Sequence, residues 1–189
     1  MKLMRSYILP ISLIGFFAFQ GCSGPVVPQT YEPKKSAELA MSKYDTDQDG
    51  KIAGAELNAS PALKTALGKI DSDRDGSLTA EEIENRLTEY KSMSKYVVSE
   101  LQFLRKKRPV VGADVVVELE SFMGEGLPLF TGTTNPGGSV VPASDDPDVL
   151  GLPLGLYRIK LSGPSGTKTF GAEFADDVAD VSRMKFEIE

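Results

Sequence analysis

The sequence contains no histidine, no tryptophan and only one cysteine. Without histidine, it lacks the side chain that most often acts as a general base near neutral pH. A single cysteine excludes an intrachain disulfide bond and a cysteine-based zinc site. The Gly-x-Ser-x-Gly nucleophile motif and the Gly-rich phosphate-binding loop are also missing. We therefore expect a protein that is not an enzyme.

Positive charge is scarce as well. The chain has 21 Lys and Arg residues against 27 Asp and Glu residues, and its net charge is −6 at pH 7. Proteins that bind nucleic acid concentrate positive charge, because the phosphate backbone is a polyanion. We therefore expect no nucleic-acid partner.

The first 21 residues have the pattern of an export signal. Lys2 and Arg5 give a short basic start, and an apolar run over Tyr7–Phe19 follows. This run is too short for a mature transmembrane anchor. The junction Gly21-Cys22 resembles the lipobox of bacterial lipoprotein signal peptides. That resemblance implies cleavage before Cys22, lipidation of its thiol, and anchoring to a bacterial membrane on the periplasmic side or the cell surface. Plain secretion without a lipid is the alternative.

The composition of residues 22–35 predicts a tether between the membrane and the folded part of the chain. They contain Pro25, Pro28 and Pro33 and few charged residues. Proline-rich segments of this kind are extended and act as spacers.

Two acidic segments repeat the same residue types at the same spacing. In the first, Asp45, Asp47 and Asp49 alternate with other residues, Gly50 follows, and Glu56 completes a twelve-residue span. Calcium is a hard cation that takes six to eight oxygen ligands, and a glycine permits the sharp turn that gathers them. The second segment supplies the matching residues Asp71, Asp73, Asp75, Gly76 and Glu82.

Both segments resemble the calcium loops of the EF-hand family, and the resemblance covers about residues 36–92. It implies two Ca²⁺ ions, one in each loop, and an oxygen-only site with a bidentate Glu favours calcium over magnesium. The implied ligands are Asp45, Asp47, Asp49, Lys51 and Glu56 in loop one, and Asp71, Asp73, Asp75, Ser77 and Glu82 in loop two. Lys51 and Ser77 would contribute backbone carbonyl oxygens.

The residues around the loops predict short helices. Ser36 is predicted to cap the helix that leads into loop one. Ser60 and Pro61 are predicted to open the helix that leads into loop two. The loops start only 26 residues apart, so the helix after loop one should be short and end near Asn58.

The eighth residue of each loop predicts a contact between the loops. These residues are Ile52 and Leu78. In paired EF-hands they meet in a short two-stranded ribbon, so we expect the two sites to fold and fill together.

After Tyr90 the hydrophobic pattern changes from helical to alternating. Val97, Leu101 and Phe103 fall on one side of a predicted strand, and Val115–Leu119 alternates in the same way. Closely spaced turn signals then divide the chain into short segments, which is typical of a β-sandwich. The further predicted strands are Phe130–Thr134, Ser139–Pro142, Gly155–Ser162 and Met184–Ile188.

The segments Gly112–Val117, Asn135–Gly138 and Gly151–Ile159 resemble the carboxypeptidase-regulatory-like or transthyretin-like β-sandwich. The resemblance covers residues 97–189 and implies a non-catalytic accessory module of exported proteins. The expected fold class is therefore multidomain α and β, with a helical EF-hand pair followed by a small antiparallel β-sandwich. The predicted domains are the lipoprotein signal peptide 1–21, the tether 22–35, the EF-hand pair 36–95 and the carboxypeptidase-regulatory-like or Ig-like β-sandwich 97–189.

The sequence thus predicts calcium binding by an exported, lipid-anchored protein with a structural or binding role. Its partners would be the membrane, through Cys22, and an extracytoplasmic protein. Two alternatives stay open. Dockerins also carry two closely spaced calcium loops, although their loops usually end in Asp. A calcium sensor would expose an apolar, often Met-rich groove when it binds the ion.

Overall fold

The computed structural model describes residues 31–93, 95–124, 128–164 and 166–189. The predicted signal peptide, Cys22 and residues 23–30 of the predicted tether lie outside these ranges. Within them, every helix is too short or too polar to cross a membrane.

Three α-helices and one short 3-10 helix form the first half of the described chain. The α-helices are α1 (Pro33–Tyr44), α2 (Pro61–Ile70) and α3 (Ala80–Met93), and the 3-10 helix spans Glu56–Ala59. Two short strands, β1 (Ile52–Ala53) and β2 (Ser77–Leu78), pair antiparallel between the loops.

Helix α1 begins earlier than the sequence predicts. Its N-cap is Glu32, and Pro33 occupies the first turn, where a missing amide proton costs no hydrogen bond. The predicted cap Ser36 lies buried inside the helix, with its amide bonded to the carbonyl oxygen of Glu32. Residues 33–35 of the predicted tether are therefore helical, and Tyr31 before them is buried.

The predicted start of α2 is confirmed. Ser60 is its N-cap and accepts a hydrogen bond from the amide of Leu63, and Pro61 follows at the first helical position. The helix after loop one is also as short as predicted, because the 3-10 helix ends at Ala59.

The second half of the chain forms two β-sheets. In spatial order the larger sheet contains β12 (Gly166–Phe174), β11 (Gly155–Gly163), β6 (Asp114–Leu119), β7 (Phe130–Thr133) and β9 (Ala143–Ser144). The smaller sheet contains β13 (Arg183–Ile188), β4 (Glu100–Arg105) and β5 (Arg108–Pro109), and β8 (Ser139–Val140) also pairs with β4. A separate ribbon joins β3 (Tyr96–Val97) to β10 (Leu152–Pro153), and a second 3-10 helix spans Ser121–Met123.

The fold class is as predicted, a helical EF-hand region followed by a β-rich region. One strand pairing departs from the antiparallel pattern, because β13 runs parallel to β4, with Phe186 opposite Phe103. These two rings stack with centroids 5.1 Å apart and fill the space between the sheets.

The larger sheet is covered on both faces. Ile159 of β11 lies opposite Phe170 of β12, whose ring contacts Phe103 of the smaller sheet. Ile159 and Tyr157, which are completely buried, therefore lie on the face toward the smaller sheet. Leu156 and Arg158 alternate with them and therefore point to the opposite face, and Arg158 donates to the carbonyl oxygen of Ala59 there. The helices thus lie on the outer face of the sandwich, and buried residues of both halves form one continuous apolar cluster.

The contact between α2 and β12 is especially close. A Cβ atom at Gly171 would lie 1.9 Å from the carbonyl oxygen of Pro61, so only glycine fits there. The Thr65 hydroxyl donates to the carbonyl oxygen of Gly171 at 3.3 Å. The start of the helix that leads into loop two is therefore fixed against a strand of the β-rich half.

Candidate metal centre

Loop one begins directly after α1 and brings three carboxylates together. One oxygen from each of Asp45, Asp47 and Asp49 lies within 4.8 Å of the others. The second oxygen of Asp45 accepts from the amide of Gly50 at 3.1 Å, whereas its Oδ1 is buried and has no hydrogen-bond partner among the described residues. A buried, unpartnered carboxylate oxygen is unfavourable. A cation held by this trio would satisfy that oxygen.

Loop two brings together Asp71, Asp73 and Glu82, again within 4.8 Å. Asp71 and Glu82 are each only 9% exposed. Three converging carboxylates repel one another unless a cation lies between them. The donor set of both loops is oxygen only, which suits a hard cation such as calcium.

Two glycines shape the loops. Gly50 and Gly76 have φ angles of 87° and 84°, in the left-handed region. Their amides donate to Asp45 and Asp71, the first ligand position of each loop, and the Gly76 bond is 2.8 Å long. A side chain at either position would be strained, because L-residues rarely adopt this conformation.

The final Glu of each loop closes the loop onto its own backbone. Glu82 accepts from the amides of Ser72 (2.8 Å) and Thr79 (2.9 Å). Glu56 accepts from the amides of Thr46 (2.6 Å) and Ala53 (3.1 Å). Hydrogen bonds from Thr46 and Ala53 hold the pKa of Glu56 below its usual value. Burial opposes ionisation of Glu82, but bonds from Thr79 and Ser72 outweigh it and lower the pKa. The lowered pKa values favour the ionised form of both carboxyl groups, which is the form that binds a cation.

Two of the predicted carboxylate ligands lie outside the converging sets. Among the described residues, the loop-one trio does not include Glu56 and the loop-two trio does not include Asp75. Asp75 instead forms an ion pair of 2.5 Å with the Lys51 side chain of the other loop. Hydrogen bonds from Lys51 and Ser77 lower the pKa of Asp75 to about 2. The spacing of the loop residues predicts a role only for the carbonyl of Lys51 and does not indicate this bridge between the loops. Ligation by these residues, and by the carbonyl oxygens of Lys51 and Ser77, stays a prediction.

The predicted contact between the loops is confirmed. Ile52 and Leu78 face each other in the β1–β2 ribbon, and both are completely buried. The two loops are therefore joined directly by backbone pairing and an apolar contact.

The two loops differ in how their exiting helices start. Thr79 and Glu82 form a capping box, in which the Thr79 hydroxyl accepts from the amide of Glu82 and the Glu82 carboxylate accepts from the amide of Thr79. Loop one has Ala53 at the matching position and cannot form this box. The capping box favours the full helix α3, whereas the short spacing between the loops leaves room only for the 3-10 helix Glu56–Ala59 after loop one.

Two residues outside the loops were not predicted from the sequence, although they hold the helices on either side of the loops in place. Glu120 lies directly after β6, and Glu173 lies on β12. Both are buried and bond to the helices of the hands. A lone acidic residue in a predicted strand gives no signal of such a role, because its partners are far away in sequence.

Comparison with protein families matches residues 63–87 to the EF hand. The match contains loop two with residues from α2 and α3. Loop one lies outside it but repeats the spacing of loop two. The match supports calcium binding by this region. Comparison with curated proteins finds no match.

Two solved structures show weak similarity to this chain. One is the major pilin subunit of Bacillus cereus, at 17% identity and a TM-score of 0.32, covering 50% of this chain and 30% of the pilin. The other is a 9R-lipoxygenase from Cyanothece, at 14% identity and a TM-score of 0.28, covering 67% of this chain and 22% of the lipoxygenase. The chain thus spans less than a third of either protein. Both scores are too low to support an argument about fold or function.

Proposed function

We propose that the protein binds two calcium ions, one in each loop, and uses them to hold its helical half in place on the β-sandwich. The observation that carries this proposal is the buried, unpartnered Oδ1 of Asp45 within a trio of carboxylates. Loop two also brings three carboxylates together, and two of these three residues are buried. The EF hand match over residues 63–87 supports the same ion.

A structural role is favoured over a sensor role by the packing of the helices. A sensor keeps an apolar face available for exposure when calcium binds. Here Leu63, Ala66 and Leu87 are completely or almost completely buried in the shared core. Because the start of α2 packs closely against Gly171 of β12 and Arg86 of α3 pairs with Glu173, opening the hands would have to pull both helices away from the β-sheet. A dockerin-like role is disfavoured because both loops end in Glu.

We further propose that the chain is exported and anchored to a bacterial membrane through lipid on Cys22. Support comes from the basic start, the apolar run and the Gly21-Cys22 junction. Calcium is abundant outside the cytoplasm, which suits permanently occupied sites. The protein then acts as a non-enzymatic structural or binding component that presents its β-sandwich to an extracytoplasmic protein partner.

Calorimetric titration with calcium tests the binding proposal. Asp45→Asn and Asp71→Asn each remove one ligand charge while keeping the side-chain size, so we expect each to weaken its own site about tenfold or more. Asp148→Asn is the control, because it removes one charge from an exposed residue outside the loops. Magnesium should bind more weakly than calcium, since it demands a smaller octahedral site. Absence of calcium binding in the unaltered protein, or an equal loss in the control, would refute the proposal.

A further inference from the structure

Two buried carboxylates of the β-rich half connect it to both EF-hands. The side chain of Glu120 is completely buried, and that of Glu173 is 5% exposed. Neither residue belongs to a calcium loop. Buried carboxylates are costly unless they are paired and hydrogen-bonded, and the partners of these two are mostly residues of the hands.

Glu120 contacts the end of α1, which leads into loop one, and the start of α2. Its Oε2 accepts from the Tyr44 hydroxyl at 3.3 Å and pairs with Arg158 at 3.2 Å. Its Oε1 accepts from the Ser60 hydroxyl at 3.0 Å and the amide of Ala62 at 3.4 Å. Tyr44 is the residue immediately before the ligand position Asp45, and Ser60 caps the helix that leads into loop two. One carboxylate thus fixes the approach to both loops.

Glu173 contacts α3, the helix that follows loop two. Its Oε1 accepts from Nε of Arg86 at 2.7 Å and forms an ion pair with Nη2 at 2.6 Å. It also accepts from the Tyr90 hydroxyl, which stays protonated because burial raises the pKa of Tyr90 well above normal. Arg86 lies one helical turn after Glu82 on α3 and also pairs with Asp177 at 2.7 Å. The helix that carries the last ligand position of loop two is therefore held on the sheet.

The position of the flanking helices decides whether the ligands of a loop can converge. Calcium affinity in EF-hands depends on the rigidity of the site as well as on its charge. A helix that is already held in place need not be ordered when the ion binds, so less of the binding free energy is spent on ordering.

We propose that Glu120 and Glu173 are positioning residues for the calcium sites, so that the β-sandwich sets the calcium affinity of both hands. This inference rests on the proposed calcium binding. Coupling between linked sites is reciprocal. Calcium binding therefore also strengthens the attachment of the helices to the sheet.

The test compares Glu120→Gln and Glu173→Gln with Glu100→Gln in the full chain. Glutamine keeps the shape of glutamate and removes its charge. Glu100 is a matched control, since it lies on β4 of the smaller sheet and pairs with the exposed Arg183 at 2.8 Å. Calcium affinity is measured by competition with a chromophoric chelator, at a temperature where circular dichroism shows that each variant is folded. Coupling of the usual size predicts affinity at least about fivefold weaker for the two variants and unchanged for the control.

Two milder variants keep the test informative if the glutamine variants do not fold. Tyr44→Phe and Tyr90→Phe keep the buried rings and remove only the hydroxyls that donate to Glu120 and Glu173. We expect each to weaken calcium binding about two- to fivefold, since a bond to a charged acceptor is among the stronger kinds.

The outcomes separate this inference from the proposal on which it rests. If the unaltered protein binds no calcium, the proposed function fails. If it binds calcium and the glutamine and phenylalanine variants bind it equally well while melting at lower temperature in EDTA, the two carboxylates only stabilise the fold and the inference is wrong. Weaker calcium binding together with a smaller calcium-induced rise in melting temperature supports it.

Discussion

Asp45 illustrates how single residues define the site. Its Oδ2 accepts from the amide of Gly50, and its buried Oδ1 has no partner among the described residues. The spacing of the acidic residues and the glycine makes this arrangement predictable from sequence, because the ligands of a calcium loop come from one short stretch of chain.

Lys51 is a residue whose role could not be read from the same spacing. Its backbone carbonyl is a predicted ligand of loop one, whereas its ammonium group pairs with Asp75 of loop two. The pairing depends on how the two loops face each other, which is a property of the folded hands. Lys51 thus partly neutralises an acidic residue that calcium would bind.

We predict that Lys51→Met strengthens calcium binding by about two- to threefold at low ionic strength. The substitution removes a cation that competes for Asp75, and the backbone carbonyl is retained. Both groups are partly exposed, so the gain should shrink as salt screens the charges. Calcium titrations at low and high salt measure it, with Lys168→Met, an exposed lysine of β12, as the control. Equal gains in the two variants, or weaker binding in Lys51→Met, would contradict the interpretation.

At the scale of secondary-structure elements, the sequence predicted those helices and strands whose positions depend on residues close together in the chain. The Ser60 cap and Pro61 define the start of α2, and alternation with buried Leu101 and Phe103 defines β4. Strand β12 was missed, because residues at its start are exposed on both sides and show no alternation. Its position is set by pairing with β11 along its whole length, from Gly155 opposite Phe174 to Gly163 opposite Gly166.

The β1–β2 ribbon leads to a prediction about the two hands. Glu82→Gln removes a carboxylate from the loop-two trio and should weaken that site. It should also weaken loop one about fivefold, because a less ordered loop two cannot hold Leu78 against Ile52. Calorimetric titration of Glu82→Gln and of the reciprocal Glu56→Gln measures the effect.

The control for that experiment is Glu81→Gln, which changes the charge of an exposed neighbour that lies outside the trio. If each loop keeps its own affinity when the other is damaged, the sites are independent and the ribbon does not couple them.

At the scale of the whole molecule, the larger sheet has helices on one face and the smaller sheet on the other. The sequence predicted an EF-hand pair and a β-sandwich as neighbouring domains, and the boundary near residue 96 does separate helices from strands. It gave no indication that the two share a core. Leu156, Arg158 and Glu173 could each belong to a solvent-facing side of a sandwich, and only the packing of α2 and α3 shows that this side is covered.

Intact mass spectrometry of the full chain under native conditions, after expression in a bacterial host and extraction from its membranes, tests the account most directly. The mass of the intact chain tests the lipid proposal, which predicts a chain that begins at Cys22 and carries acyl groups. The number of bound calcium ions reports the central claim. We predict two ions per chain, with the one-ion species scarce because the paired loops fill together, and none after EDTA. A chain that binds no calcium, or only one ion at saturation, would contradict the claim.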